Sequence, residues 1–504
     1  MHATVGRSYP APRSARSITL LRPRVQAYEA AGTGRRTRGW HAPTTGANDS
    51  VLAGLSLLRD RSRAACRNDG FARAIINALV TNLIGCGITP QSSAPDPGFR
   101  KALHKLWLDS TDFSDADGTC EFYGQQAQGA LSWFAAGEAF LRLRDRLPGD
   151  GLPVPFQVQI IEPEFCPHTY DAMNGQNRIR AGIEFSPIGK RVAYWMYRQR
   201  PGEWQDLDTS QLVRVPAETV CHLYSPERPG QIRGIPRLAA ALVKLKDLDR
   251  FDDATLLRQQ ISNLFAGFVT RPAGAGEAEL DPITGQPIET IGDRTAVGLE
   301  PGAFEELAPG ESVEFSDPPS VGQTYEGFMR QQLMGGGVAA GVPYEIFTGD
   351  LRQVNDRTVR LILGEFRRHV QQLQQHFAFQ VCRPIWAAWF TRAVLSGALE
   401  IPSAYYDDPA TWQAVKWQPH GWPYMNPVQD VEADKAAIRS GLTSRSAVLS
   451  ARGENAEVID QENAEDNARV DQLGLTYDSD GRTSSKASAV PQGSESASSS
   501  QGTK

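Results

Sequence analysis

The stretch Cys221-His222-Leu223-Tyr224-Ser225-Pro226-Glu227-Arg228-Pro229-Gly230-Gln231-Ile232-Arg233-Gly234-Ile235-Pro236-Arg237-Leu238 passes directly into a long charged segment. The lead-in, with Val213, Val215, Val220 and Leu223, is β-rich; the Pro/Gly run after it is a rigid turn. Pro236 then stands where a helix can begin, because its missing N–H costs nothing in a first turn. The spacing of Leu238, Leu242, Leu245, Leu248, Phe251 and Leu256 predicts a helix from about residue 236 to about residue 264. At 1.5 Å per residue it would be roughly 42 Å long. Lys244, Lys246, Asp247, Asp249, Arg250, Asp252, Asp253 and Arg258 fill the remaining positions. Charge of both signs between apolar positions argues against burial inside one subunit and for a helix touching neighbouring subunits on its sides. Taken alone, the segment also fits a surface helix laced with intrahelical ion pairs.

The chain is long, 504 residues, so more than one lobe is expected. Its 40% hydrophobic and 22% charged content is that of an ordinary soluble protein. No apolar run approaches a membrane span; Arg392 interrupts even 385–395. The Arg-rich start lacks the apolar core of a secretory signal. Six scattered cysteines with no C-x-x-C pair predict reduced, mostly buried thiols. The net charge of −6, from 52 basic and 58 acidic side chains, is unlike that of a tight nonspecific DNA binder, which gains its affinity by neutralising phosphates.

Residues 1–45 carry eight arginines (among them Arg7, Arg22 and Arg38) against Glu29, which reads as a basic flexible arm. From Ser50 to about Leu147 the periodicity is helical. From Phe156 to Leu223 it is that of strands, as in Phe156-Gln157-Val158-Gln159-Ile160, so an α+β lobe is expected. Residues 266–320 are punctuated by Gly and Pro, with a short strand at 312–315, and read as a small β-rich excursion between helices. Helices are expected again at 325–334, 356–379 and 385–398, then two short ones separated by Gly453 within 428–475. The Ser-rich tail beyond Tyr477 has too few apolar residues to order itself.

Most candidate chemistry fails on context. Gly335-Gly336-Gly337-Val338-Ala339-Ala340 fits G-x-G-x-x-A, which keeps open a soluble nucleotide-binding enzyme as the alternative function. A helix precedes the motif where a strand is needed, and Pro343 follows; a hinge after a helix suits the glycines better. Asp109, Asp112, Asp115 and Asp117 lack an oxygen ligand at Phe113 and the bidentate Glu at Gly124 that a calcium loop requires. His369 and His376 are two turns apart, about 10.5 Å, too far to share a metal unaided. Cys221-His222 reads as the close of a strand. The aromatics Trp386, Trp389, Trp412, Trp417 and Trp422 have few cations beside them and predict core or interface packing rather than base stacking. No catalytic residue, cofactor or metal is expected.

Several further motifs occur in a fixed order. They are Arg59-Asp60-Arg61-Ser62-Arg63, Arg67-Asn68, Asp115-Ala116-Asp117-Gly118, Gly137-Glu138-Ala139-Phe140, Gly182-Ile183-Glu184-Phe185, Leu299-Glu300-Pro301-Gly302 and Gly341-Val342-Pro343-Tyr344-Glu345. With the opening stretch, this ordered set resembles the lambda family of phage portal proteins. The resemblance implies an α+β portal fold that forms rings: arm 1–45, wing 46–235, stem helix 236–265, β-containing clip 266–322, second stem helix and channel loop 323–342, wing continuation 343–425, helical crown 426–475 and tail 476–504. It implies a non-enzymatic ring of about twelve copies around a channel for double-stranded DNA, at one vertex of a capsid and assembled in the host cytoplasm. The implied partners are the terminase large subunit, head-tail connector proteins, and the major capsid and scaffold proteins, with no membrane. Lys244, Lys246, Arg250 and Arg258 are the candidate channel cations; Gly335, Gly336, Gly337 and Gly341 are the candidate hinge or channel loop. Such a ring would carry about −72 charges, a field that keeps DNA off most surfaces.

Overall fold

A computed structural model describes residues 35–40, 42–201, 211–264, 268–270, 312–314, 325–352, 354–477 and 482. The chain divides into two units, Met1–Gly46 and Ala47–Lys504. In the first, the described residues form one 3-10 turn, Arg35–Thr37. The rest of the expected arm, the tail beyond 477 apart from residue 482, and most of the expected clip lie outside the described residues.

The second unit opens with helices α1 (Ala47–Leu52), α2 (Leu55–Asn68) and α3 (Gly70–Ile84), then strand β1 (Thr89–Ser92) and helices α4 (Pro97–Thr111) and α5 (Phe122–Ala136). Local chemistry sets the boundaries. Asp69 accepts from the Phe71 and Ala72 amides to start α3, and Asp96 accepts from the Phe99 amide ahead of Pro97 to start α4. Gly137, at φ +91°, ends α5 in the left-handed region that glycine tolerates.

Helical periodicity was expected to continue to Leu147, but residues 138–145 are strand β2 (Glu138–Asp145). Its alternating sides serve two cores: Ala139 and Leu141 face the large helical one, Phe140 a smaller one with Ile183, Tyr194 and Met196. Apolar demand on both faces erases the period-2 signal. Strands β3 (Phe156–Ile161), β4 (Ala172–Asn174), β5 (Asn177–Arg180), β6 (Ile183–Phe185), β7 (Arg191–Tyr197), β8 (Leu212–Pro216) and β9 (Val220–Tyr224) follow. They form two antiparallel sheets, one ordered β3-β2-β9 and one β4-β5-β6-β7-β8.

Helix α6 (Leu242–Leu264) leads to the antiparallel pair β10 (Phe268–Thr270) and β11 (Ser312–Glu314), and helix α7 (Tyr325–Ala340) follows. Helices α8 (Tyr344–Thr348) and α9 (Asp356–Phe377) come next; a π-helical turn at Ala378–Cys382 joins α9 to α10 (Arg383–Leu395). After α11 (Pro409–Gln413), strand β12 (Val415–Gln418) returns to pair with β1. The C-terminal region holds three helices, α12 (Pro427–Arg439), α13 (Arg445–Ala451) and α14 (Ala456–Leu473), where two were expected. Ser444 caps α13 through the Ala447 amide and splits what the periodicity merged.

The main core lies among α3, α5, α9 and α10. Trp107 meets Phe122, Trp386 and Trp389 at ring-centroid distances of 4.9–5.2 Å. Trp412 is buried against Phe99. These tryptophans pack the core, as their cation-poor surroundings suggested. No helix among the described residues is long and apolar enough to cross a membrane.

Candidate functional site

Helices α6 and α7 form an antiparallel pair: Leu245 lies beside Gly336 at one end, while Phe251 meets Phe328 at 4.9 Å and Tyr325 at 6.2 Å at the other. The Tyr325 hydroxyl donates to Asp252, which raises the phenol to about 12. The β10–β11 ladder follows from the far end of this pair, in the span expected for the clip.

Helix α6 starts at Leu242, six residues later than expected. The segment before it is pinned as turns: the Ala239 amide donates to Pro236 O, the Ala241 amide to Leu238 O, and the Arg237 amide to Phe134 O of α5. The Arg237 side chain spans to α7 and α9, with Nε donating to Ala340 O at 2.8 Å and a second nitrogen to His369 Nε2 at 2.7 Å. The near half of α6 has an intrachain home that its charge pattern did not suggest, since Leu242, Leu245 and Leu248 join the main core. The far half differs. Leu245 is 3% exposed, but Phe251, Leu256 and Leu257 are 42%, 59% and 56% exposed.

The glycines expected to form a hinge after a helix lie inside α7. A Cβ on Gly336 would touch Leu245 at 3.4 Å. One on Gly337 would fall 2.5 Å from the Phe347 ring, and one on Gly335 2.1 Å from Lys244 Nζ. The run therefore admits close approach of α6 and α8 to α7, and it occupies the interior of a helix rather than a phosphate-cradling loop. Gly341 alone sits beyond the helix, at φ +79°. Of the candidate cations, Lys244 is half-buried across α7, Lys246 pairs with Asp249 at 2.7 Å, and Arg250 and Arg258 are exposed.

The α6–α7 pair springs from a buried charge cluster that the sequence reading did not single out as a site. Glu138, wholly buried, accepts from Arg59, from Arg233 Nε at 2.7 Å, from the Gly234 amide at 2.9 Å and from His222 Nε2 at 3.0 Å. Arg233 also donates to the carbonyls of Cys166 and Ala181, and Arg59 to that of Ala136. Burial alone would raise the Glu138 carboxyl; Arg233, Arg59 and the His222 bond outweigh it and hold it well below the usual range. Burial lowers His222 to about 4, and its ring is stacked between Phe140 and Tyr224, each at 4.4 Å. Gly137 and Gly234 cross backbone to backbone: a Cβ on Gly234 would lie 2.0 Å from Gly137 O. The one signal in the sequence was a charged residue, Glu138, leading an apolar run.

The residues weighed as ligands and set aside on sequence grounds serve structure. Cys221 and His222 lie in β9. The Asp115 carboxylate accepts from the amides of Asp117, Thr119 and Cys120 and from Gln125. His376 donates to Tyr224 O. Among the described residues no group of three His, Cys, Asp or Glu is placed to hold a metal.

Comparison with known proteins bears on this arrangement. The chain is 25% identical over 442 residues, 83% of its length and 81% of the relative's, to a probable portal protein of Halomonas phage phiHAP-1. It is 19% identical over 467 residues, 85% of its length and 87% of the relative's, to the portal protein of Escherichia phage N15. A solved structure of the neck of an empty gene transfer agent (GTA) particle aligns with 78% of this chain and 93% of its own, at 13% identity and a TM-score of 0.45. The profile of the family described as phage portal protein, lambda family, matches residues 33–374. With more than half of its length matched, the chain belongs to the lambda family of phage portal proteins.

Proposed function

We propose that the chain builds a closed ring of about twelve copies with a central channel for double-stranded DNA, at the portal vertex of a capsid. The observation that carries this reading is the far half of α6, where apolar Leu256 and Leu257 stand exposed among charges. A chain leaves such residues uncovered where a neighbour covers them. The wing is 46–235 with 343–425, the stem 236–265 with 323–342, the clip 266–322 and the crown 426–475. The stem is aimed by the anchor around Glu138, so all copies present it at one angle. Arg250 and Arg258, with Lys246, face the channel, where scattered cations in a net-negative ring guide DNA without gripping it; Lys244, held across α7, contributes least. The clip docks the terminase large subunit during packaging and head-tail connector proteins afterwards. The wing meets the major capsid and scaffold proteins, on assembly in the host cytoplasm. The role is mechanical, with no catalytic group.

Light scattering behind size exclusion tests the ring: a mass about ten to fourteen times the 55.2 kDa subunit is expected, with a central hole in negative-stain images. A stable monomer at micromolar concentration would overturn it.

A further inference from the structure

Between α9 and the C-terminal helices lies a cleft of about 600 Å³ lined by Arg360, Arg367, Arg452, Trp422, Tyr424 and Thr443. Two of its guanidiniums are already stacked on aromatic faces, Arg367 over Trp422 at 5.3 Å and Arg452 over Tyr424 at 4.8 Å. Stacking of this kind fixes the plane of the guanidinium and turns its N–H edges outward.

One donor in this cleft lacks an acceptor. Arg367 Nε is buried without a hydrogen-bond partner, whereas Arg360 Nε, aligned too poorly for a hydrogen bond, is ion-paired at 3.2 Å with the exposed carboxylate of Asp356. Two carboxylates also line the cleft, but both are engaged: Asp434 accepts from the Tyr424 hydroxyl, Asp430 from the Asn426 amide. A buried N–H without an acceptor is costly, and an oxyanion entering the cleft would remove that cost. The walls are rigid. Gly421 crosses the backbone at Arg452, where a Cβ would fall 2.4 Å from its Cα, and Gln418 ties β12 to Glu454 O.

We propose that this cleft is a nucleic-acid phosphate site, taking the phosphodiester strand of DNA that passes beside the crown. Arg360 and Arg367 are seven residues apart on α9, about 10 Å along its axis. They form a row of positive groups rather than a point, which suits the repeated charges of a strand better than a single free phosphate. Trp422 and Tyr424 are each covered on one face by Arg367 and Arg452, so the cleft offers guanidinium edges to phosphates rather than an aromatic platform to bases. The inference rests on the portal reading only for the presence of DNA beside the crown.

The test uses the full chain and a short labelled DNA duplex, with anisotropy followed across a salt series. R360Q/R367Q should lower the slope of log K against log salt by about two, one per lost phosphate contact. R178Q/K190Q, which removes two exposed charges, one from β5 and one from the turn between β6 and β7, should leave the slope unchanged. R367K should lose affinity while keeping charge, because the planar fork is gone. An unchanged slope in R360Q/R367Q, or an equal fall in R178Q/K190Q, would overturn the site. Competition by polyglutamate as strong as by unlabelled duplex and dependent on the same arginines would reassign it to an acidic polypeptide; full competition by inorganic phosphate at matched ionic strength would reduce it to a free-anion site. If R360Q/R367Q does not fold, R452Q, at an exposed side chain, carries the same test with a slope change of about one. Negative-stain images of the same samples report ring formation separately, so a failed ring and a failed site are told apart.

Discussion

The anchor around Glu138 and the far half of α6 place charge and apolar surface in opposite ways. In the anchor, ionised groups are buried and every oxygen of Glu138 is met by donors from Arg59, His222, Arg233 and Gly234. On the far half of α6, charged side chains stand in solvent and leucines stand with them. The anchor is complete within one chain, whereas the far half of α6 is, in the proposed ring, covered by another copy. Stability should therefore depend on the first and assembly on the second.

The largest expected effect comes from breaking the anchor. Glu138→Gln leaves Arg59 and Arg233 buried without a counter-charge and should cost about 3–5 kcal/mol, a large part of a typical domain's stability. Urea denaturation would show the midpoint falling; an unchanged midpoint would mean that the cluster is not structural.

Next comes a contrast along α6 itself. Leu245→Asp places a carboxylate in the main core and should destabilise the folded chain by several kcal/mol, so loss of rings there would be secondary to unfolding. L256D/L257D should leave the melting temperature of the chain unchanged and abolish rings in light scattering. Rings that survive L256D/L257D would return this half of α6 to the solvated helix face of the alternative reading.

A smaller effect is expected from pH. The folded chain holds His222 at about 4, below its ordinary 6.5, so it refuses a proton that the unfolded chain accepts. The stability tied to neutral His222 is complete above pH 6.5 and is lost as pH falls toward 4. Glu138 and Glu184 act in a lower window. Burial would raise Glu184, but bonds from Arg214, Asn177 and Trp195 hold it at about 2. Their contribution is present above 4.5 and is lost as pH falls below it. Melting temperature should be level from pH 8 to 6.5, decline gently to 4.5 and then fall steeply; His222→Gln should reduce the gentle portion, to which His104, His168 and His369, also lowered by burial, contribute, and leave the steep one unchanged. The smallest change is expected from K246A/R250A, which breaks the exposed Lys246–Asp249 pair at a cost of about 0.5 kcal/mol or less. It should preserve rings and alter only the rate of DNA packaging into reconstituted heads.

Much of this was legible in the sequence. Periodicity located α3, α6, α9 and the strands β3, β7, β8 and β9, because one-sided burial writes a period. It failed at β2, which is apolar on both faces, and at the Gly335–Gly337 run, where glycine signals helix-to-helix contact as readily as a hinge. The start of α6 was misplaced because 236–241 close in tight turns, Ala239 N–H to Pro236 O and Ala241 N–H to Leu238 O, docked on α5 through the Arg237 amide, a tertiary contact that no local rule encodes. The anchor was missed for the same reason: Arg59, Glu138, His222 and Arg233 converge only after folding. The arginine cleft draws on Arg360, Arg367 and Arg452 from two distant segments.

The β1–β12 ladder has a consequence for biosynthesis. Thr89 pairs with Gln418, and the hydroxyl of Thr89 bonds across 329 positions of sequence. A ribosome must therefore finish nearly the whole chain before β1 can lose its open edge, and contacts that close such long loops form slowly. Because Gln418 in that ladder also grips Ser450 and Glu454, the C-terminal helices dock in the same late event. Nascent chains that stop short of β12 carry an unpaired edge strand, the kind of surface that recruits chaperones or aggregates. Synthesis through β12 thus precedes both the pairing of β1 and the docking of the C-terminal helices.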